Sequence, residues 1–264
     1  MKKIITLLAL VLAAGLASAQ TRDDFSAELG GRVSVELDKK LAKGWHVYLS
    51  EELRFDENFT AFERFHTTLG TSYKFNQVLR GGVEYSLINQ YKASDKVWQT
   101  RHRLSLFMTE SLRTGDWTLS LKETFRFTHK AYDSNPYQSP RNPLDVKLRF
   151  QAKYRGFRTW SPYAGIEGKI RLNGASCSAT YYSASDSYDD YVFTGYKDTY
   201  VSRLRGYLGT EFKLTRQHAI DVKLLMDYLM GKEIDTNSEG TKLKSITRDN
   251  KFFPQLSVGY KFSF

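Results

Sequence analysis

The sequence predicts an all-β fold: a single antiparallel transmembrane β-barrel preceded by a cleaved export signal. Three observations carry that prediction. Apolar and polar residues alternate with a period of two in eleven separate segments. The connectors between those segments are short and long by turns. Beyond the N-terminus, no apolar run is long enough to cross a bilayer as a helix.

At the start of the chain, Lys2 and Lys3 precede an apolar stretch from Ile4 to Leu16, and the small residues Ala17, Ser18 and Ala19 follow. Residues 1–19 are therefore expected to be a secretory signal peptide, and residues 20–264 a single domain. Cys177 is the only cysteine, which excludes an intramolecular disulfide. The formal charge is +10 and falls to +8 without Lys2 and Lys3. So basic a chain would ordinarily suggest nucleic acid as a partner, but export past the inner membrane excludes it. A mean hydropathy of -0.48 suggests a soluble periplasmic β protein as an alternative. Average hydropathy ignores periodicity, however, and a membrane strand needs only about 9 to 11 residues, half of them polar.

The alternating segments run from about 25 to 37, 45 to 55, 63 to 75, 79 to 89, 99 to 112, 117 to 128, 144 to 155, 160 to 172, 200 to 214, 219 to 230 and 254 to 264. The seventh shows the pattern well: Leu144, Val146, Leu148, Phe150 and Ala152 share one phase, against Asp145, Lys147, Arg149, Gln151 and Lys153. Two such different faces require two different surroundings. After odd segments the links are turn-like, namely DKKLAKG, NQV, RTGD, GFRT and TRQH, whereas after even segments they are mostly longer. Bacterial outer-membrane barrels have this asymmetry, with short periplasmic turns and long outer loops. Trp45, Trp117 and Trp160 each open a segment after a short turn, the position expected for aromatic residues at a membrane interface.

The last segment ends LSVGYKFSF, alternating to its final residue. In that phase Tyr260, Phe262 and Phe264 resemble the C-terminal assembly signal of outer-membrane proteins, which the barrel-assembly machinery recognises. Single-chain bacterial barrels have an even strand number, so twelve strands are favoured, with ten as the alternative. The stretches VSVELDKKLAKGWHVYLSEELRF (33–55), ERFHTTLGTSYKFN (63–76) and RHRLSLFMTESLR (101–113) resemble the exported family catalogued as domain of unknown function 2490. That resemblance implies an outer-membrane barrel and says little about activity.

If the apolar phase faces lipid, the polar phase lines a lumen in which basic residues exceed acidic ones. The expected lining includes Arg54, Arg64, Arg80, Arg101, Arg103 and Arg126 from the earlier segments. Later segments add Lys147, Arg149, Lys153, Lys169, Arg171, Arg203 and Arg205, with the acids Glu52, Glu84, Glu167, Glu211 and Asp221 among them. Such charges either pair with one another and fill the lumen, giving a structural or surface barrel, or leave a narrow passage favouring small anions. Glu51, Glu110 and Glu123 fall on the lipid phase, unless a β-bulge turns them inward.

The competing reading is a lipid-modifying hydrolase, which needs a serine held against a histidine base. The candidates are His102, on the lipid phase, and His129, beside a long connector containing Ser134. Metal-ligand spacing is absent, and no cofactor is expected. The stretch 173–199 reads as a long outer loop rich in Tyr, Ser and Asp, where Asp186, Asp189 and Asp190 could accept hydrogen bonds from a sugar or bind calcium. The partners expected are outer-membrane lipid and lipopolysaccharide, with the assembly machinery during biogenesis.

Overall fold

The computed structural model describes residues 21–25, 29–56, 58–92, 96–182 and 187–264. The expected signal peptide and Asp186 lie outside them. The strands are β1 (Thr21–Phe25), β2 (Gly30–Ala42), β3 (Trp45–Asp56), β4 (Ala61–Lys74), β5 (Leu79–Lys92), β6 (Val97–Thr114) and β7 (Trp117–Lys130). They continue with β8 (Leu144–Tyr154), β9 (Trp160–Tyr182), β10 (Ser187–Lys213), β11 (His218–Met230), β12 (Glu233–Thr236) and β13 (Leu243–Ser263). No helix occurs among the described residues.

From β2 to β11 each strand pairs antiparallel with the next, β11 pairs with β13, and β13 pairs with β2 to close the ring. Closure leaves no free edge, so the ladder hydrogen bonds of the wall are made between strands. With β1, which continues the line of β2 along β13, twelve strands lie in this sheet, the number the sequence favours. Parity, however, is met differently from the expectation. β1 and β2 are successive pieces laid against the same strand, and both pair with β13 in parallel. An even count follows only where the closing pair is antiparallel, and here it is not.

The short turns need backbone that few residues supply. Gly44 and Gly115 have φ of 81° and 55°, a region open to glycine because it has no Cβ. All five short turns lie at one rim. At the other rim the chain builds more than loops. Of the stretch 173–199, expected as a loop, the described residues 173–182 and 187–199 instead prolong the β9–β10 hairpin, with register shifts from Asp189 to Arg203. Residues 231–253 form β12 and the upper half of β13.

These extensions pack on one another through Ala175, Ile234 and Leu243, joined by Cys177, Tyr191 and Phe193. Burial raises the pKa of the Cys177 thiol above its ordinary value. The β7–β8 connector reaches the same cluster: Asn135 Nδ2 donates to Thr236 Oγ1 (3.1 Å), Gln138 Nε2 donates to Asp235 Oδ1 (3.1 Å), and the Tyr137 and Phe193 rings meet edge to face. A small apolar core therefore stands above this rim, separate from the barrel wall.

The two faces of the wall divide as the alternation predicts. Val33, Leu49, Leu69, Leu106, Phe150, Ile166, Leu208 and Val258 are all exposed on the outside. Ser105, Thr124, Asp145, Lys147, Glu167, Arg205 and Asp227 are buried. Aromatic side chains collect at both ends of the outer face. One group comprises Trp117, Tyr154, Phe157 and Trp160, with the Phe157 and Trp160 rings stacked at 4.4 Å, and Trp45 lies at the same rim across from Tyr73. Another joins Phe55, Phe62, Phe65, Tyr91 and Trp98. Along β3, ten residues separate Trp45 from Phe55. At about 3.3 Å per residue and a tilt near 40°, that is roughly 25 Å of height.

Candidate functional site

The wall encloses a cavity of about 980 Å³. Arg54, Arg64, Glu84, Arg101, Arg103, Arg126, Lys147, Arg149, Glu167, Arg171, Arg203, Arg205 and Glu211 all stand around it. Arg80 does not. It shares the phase of Glu84 but is the second residue of β5, exposed at the short-turn rim, and alternation cannot tell a residue of the wall from one at its end. Around the cavity are seventeen Lys and Arg side chains against ten Asp and Glu. A smaller cavity of about 420 Å³ at the short-turn rim shares Glu211, Ala219 and Lys261 with it.

The carboxylates are each shared among several cations, because cross-strand register sets them opposite basic residues. Glu167 lies across from Arg149 on one side and Arg205 on the other. Its oxygens receive Lys147 Nζ (2.8 Å), Arg149 Nη2 (3.1 Å) and Arg203 Nη2 (2.5 Å). Asp145 holds Arg171 Nε (2.6 Å) and Lys169 Nζ (3.4 Å). Asp227 takes the fork of Arg205 through both of its oxygens and also faces Arg32 (3.8 Å) and Gln255 Nε2 (3.1 Å). Glu52 pairs with Arg54 (2.6 Å) and lies 4.0 Å from Arg32. Four carboxylates thus serve eight cations.

On the β6–β7 wall the cations outrun their partners. Among the described residues, Arg103 Nε donates to Thr128 Oγ1 (3.3 Å) and meets no carboxylate. Arg126 sits directly across from Asp145, but that carboxylate is turned to Arg171 and Lys169, and the buried Arg126 Nε has no partner among the described residues. Arg101 has Gln90 Oε1 at 3.0 Å and the Tyr132 ring at 5.5 Å, and its Nε is likewise unpartnered. A buried guanidinium without a carboxylate leaves a positive field in the lumen.

Nearer the short turns an aromatic layer lies on the inner face. Tyr48, Phe107, Tyr163 and Tyr207 are each paired across strands with a glycine: Gly70, Gly82, Gly209 and Gly165. A Cβ on any of the four glycines would collide with the facing ring, so the absence of a side chain lets each ring lie against the wall. Tyr48 Oη donates to Glu84 (2.8 Å), which also receives Lys122 Nζ (3.3 Å), and Tyr163 Oη donates to Asp221 (2.5 Å). Lys153 Nζ reaches Glu211 at 2.9 Å.

Sequence reasoning did not single out Asp227, Gln255 or the glycine partners. Asp227 lies on the inward phase of β11, but the run Leu224, Leu225, Met226 obscures the alternation there, and Leu225 itself faces inward, 3% exposed. Each glycine's role depends on the residue across from it, which only the register reveals.

Outside, Trp45, Trp117 and Trp160 are exposed at the short-turn rim. Tyr260 Oη meets His218 Nδ1 (2.6 Å), Phe262 packs on Phe264, and Phe264 N donates to Asp38 O (2.9 Å), so the backbone is paired to its last residue. Glu51, Glu110 and Glu123 are on the outer face; the ladders through them run without a bulge, so nothing turns them inward. His102 and His129 are cross-strand neighbours on the outer face. His102 Nδ1 bonds the Tyr85 hydroxyl (2.6 Å) and His129 Nδ1 bonds Asn142 Oδ1 (2.8 Å), and no serine hydroxyl is bonded to either among the described residues. Asp189 and Asp190 are exposed, and no group of three metal-ligating side chains occurs among the described residues.

Comparison with known proteins gives a structural match and a family. The chain is similar to a solved structure described as the NanC porin in a rhombohedral crystal form, with 11% identity, a TM-score of 0.44 and coverage of 90% of this chain and 99% of that one. No curated protein matches. The family model described as protein of unknown function (DUF2490) matches residues 33–237, the span from β2 through β12, and the chain belongs to that family.

Proposed function

We propose that the protein is an outer-membrane barrel through whose narrow lumen small anionic solutes pass. The observation that carries this reading is the inner face, where seventeen basic side chains against ten acidic ones surround about 980 Å³. A confined passage lined by one sign of charge concentrates ions of the other sign. The membrane location is supported by an apolar outer face bounded at both ends by aromatic rings, about 25 Å apart, the height of the lipid-facing band of such barrels.

In this reading the exterior meets outer-membrane lipid and lipopolysaccharide, and residues 1–19 direct export. Tyr260, Phe262 and Phe264 present the closing strand to the barrel-assembly machinery. The test is reconstitution into planar bilayers with a gradient of potassium chloride. The reversal potential is expected on the chloride side; absence of conductance, or cation preference, refutes the proposal.

A further inference from the structure

The charge distribution inside the barrel is uneven in a way that a general preference for anions does not require. On the β8–β11 wall every carboxylate is taken up: Glu167 by three cations, Asp145 by two, Asp227 by the fork of Arg205. On the adjoining β6–β7 wall, Arg103 and Arg126 have no carboxylate in ion-pair contact among the described residues. They are near neighbours there, since Arg103 lies across from Thr128 and Arg126 across from Ser105, a diagonal pair on adjacent strands. Both border the cavity, and the buried Arg126 Nε has no partner. Arg101, two residues further along β6, adds a second unpartnered Nε beside the same pair.

We propose that Arg103 and Arg126 form a fixed site for one divalent oxyanion, the group presented by inorganic phosphate and by phosphate monoesters. Two guanidiniums without a carboxylate in ion-pair contact among the described residues are matched in charge by one dianion, whereas chloride or a monocarboxylate matches only one of them. Guanidinium forks also bond tetrahedral oxyanions through paired N–H groups. The aromatic layer of Tyr48, Phe107, Tyr163 and Tyr207 lies on the short-turn side of this pair, so the site is entered from the opposite rim. This inference rests on the anion-passage reading and adds to it a ligand that is held as well as passed.

Two measurements on the full-length barrel separate the failure of one from the failure of the other. In planar bilayers, inorganic phosphate is expected to block the chloride current saturably. Arg103→Gln and Arg126→Gln should each raise the half-blocking concentration at least about tenfold, the loss of a charge-assisted fork, while Arg80→Gln at the rim should leave it unchanged. In detergent, phosphate should raise the unfolding midpoint of the wild-type barrel above that in chloride of equal ionic strength, and should do so far less in Arg126→Gln. Glucose 6-phosphate giving the same rise, with glucose giving none, would support an ester as the natural ligand; a rise with inorganic phosphate alone would support the free anion.

A chloride-selective channel that phosphate neither blocks nor stabilises would overturn the site and leave the passage standing. Absence of current together with a phosphate-dependent midpoint that Arg126→Gln abolishes would overturn the passage and support the site. Arg126→Lys, which keeps the charge and loses the fork, is expected to fall between wild type and Arg126→Gln, and equality with wild type would overturn the bidentate geometry.

Discussion

Replacing Glu167 with glutamine tests whether the lumen charges hold the barrel together. Glu167 is 1% exposed and receives Lys147 at 2.8 Å, Arg203 at 2.5 Å and Arg149 at 3.1 Å. Glutamine keeps the volume and one acceptor oxygen but removes the charge and points N–H donors at cations. The three pairs are unequal. Lys147 and Arg203 are 7% and 16% exposed, so both are poorly solvated and would be left with less to balance them. Arg149 is 40% exposed, and water screens most of what it contributes, leaving under about 1 kcal/mol. Removing one partner of a buried pair costs about 3 to 5 kcal/mol, and that range is the expected loss in unfolding free energy. Urea titration of the barrel in detergent, followed by tryptophan fluorescence and by heat-modifiable gel mobility, would measure it. Adding Lys147→Met should recover at least about 1 kcal/mol, since it removes the cation left most deeply buried. A loss below about 1 kcal/mol for Glu167→Gln, or full additivity in the double variant, would refute the idea that this carboxylate is the hub of the network.

Three further outcomes follow from the same geometry. Gly70→Val drives a side chain into the Tyr48 ring and should lower the unfolding free energy by about 1 to 3 kcal/mol; no change would mean the ring does not rest on the glycine. Glu123→Leu should raise stability in lipid vesicles by up to about 2 kcal/mol, because an outward carboxylate between the aromatic groups is costly in hydrocarbon, and a decrease would show that the carboxylate meets water or a partner there. Cys177, its pKa raised by burial, should react with a maleimide more slowly than a peptide thiol at neutral pH and gain rate as pH rises; reaction at the peptide rate would mean that the apolar cluster above the rim is open.

The wall was largely legible in the sequence because one period decides two faces. Once Leu144 and Val146 are taken as outward, Asp145 and Lys147 must point inward, and the lumen residues follow strand by strand. Alternation carries no information about height, and for that reason Arg80 was placed in a passage whose rim it only borders. It also carries no information about partners. That Asp145 serves Arg171 and Lys169 while Arg126, directly across from it, goes without is decided by register and rotamer. The stretch 173–199 was misjudged for a different reason: its Tyr, Ser and Gly resemble the composition of a loop, but the hairpin is prolonged because Ala175, Cys177 and Phe193 find an apolar partner in Ile234 and Leu243, more than forty residues away.

The closing seam shows how a fold can meet the demand for a continuous ladder with a parallel closing pair. Parallel pairs are somewhat weaker per residue than antiparallel ones because their hydrogen bonds are slanted, so a parallel seam between β13 and β2 is where this wall would be expected to part. Side chains reinforce it from within. Lys261 on β13 reaches Glu36 (2.6 Å) and Asp38 (2.9 Å) on β2. Higher up, Arg32 on β2 donates to Gln255 on β13 (2.5 Å), and Gln255 in turn donates to Asp227 on β11. The Arg32–Gln255–Asp227 bridge spans the seam and the strand beyond it, and through Arg205 it joins the lumen network centred on Glu167. The charges that give the lumen its sign therefore also fasten the one junction the backbone holds least firmly, which explains why so many of the interior ions are paired.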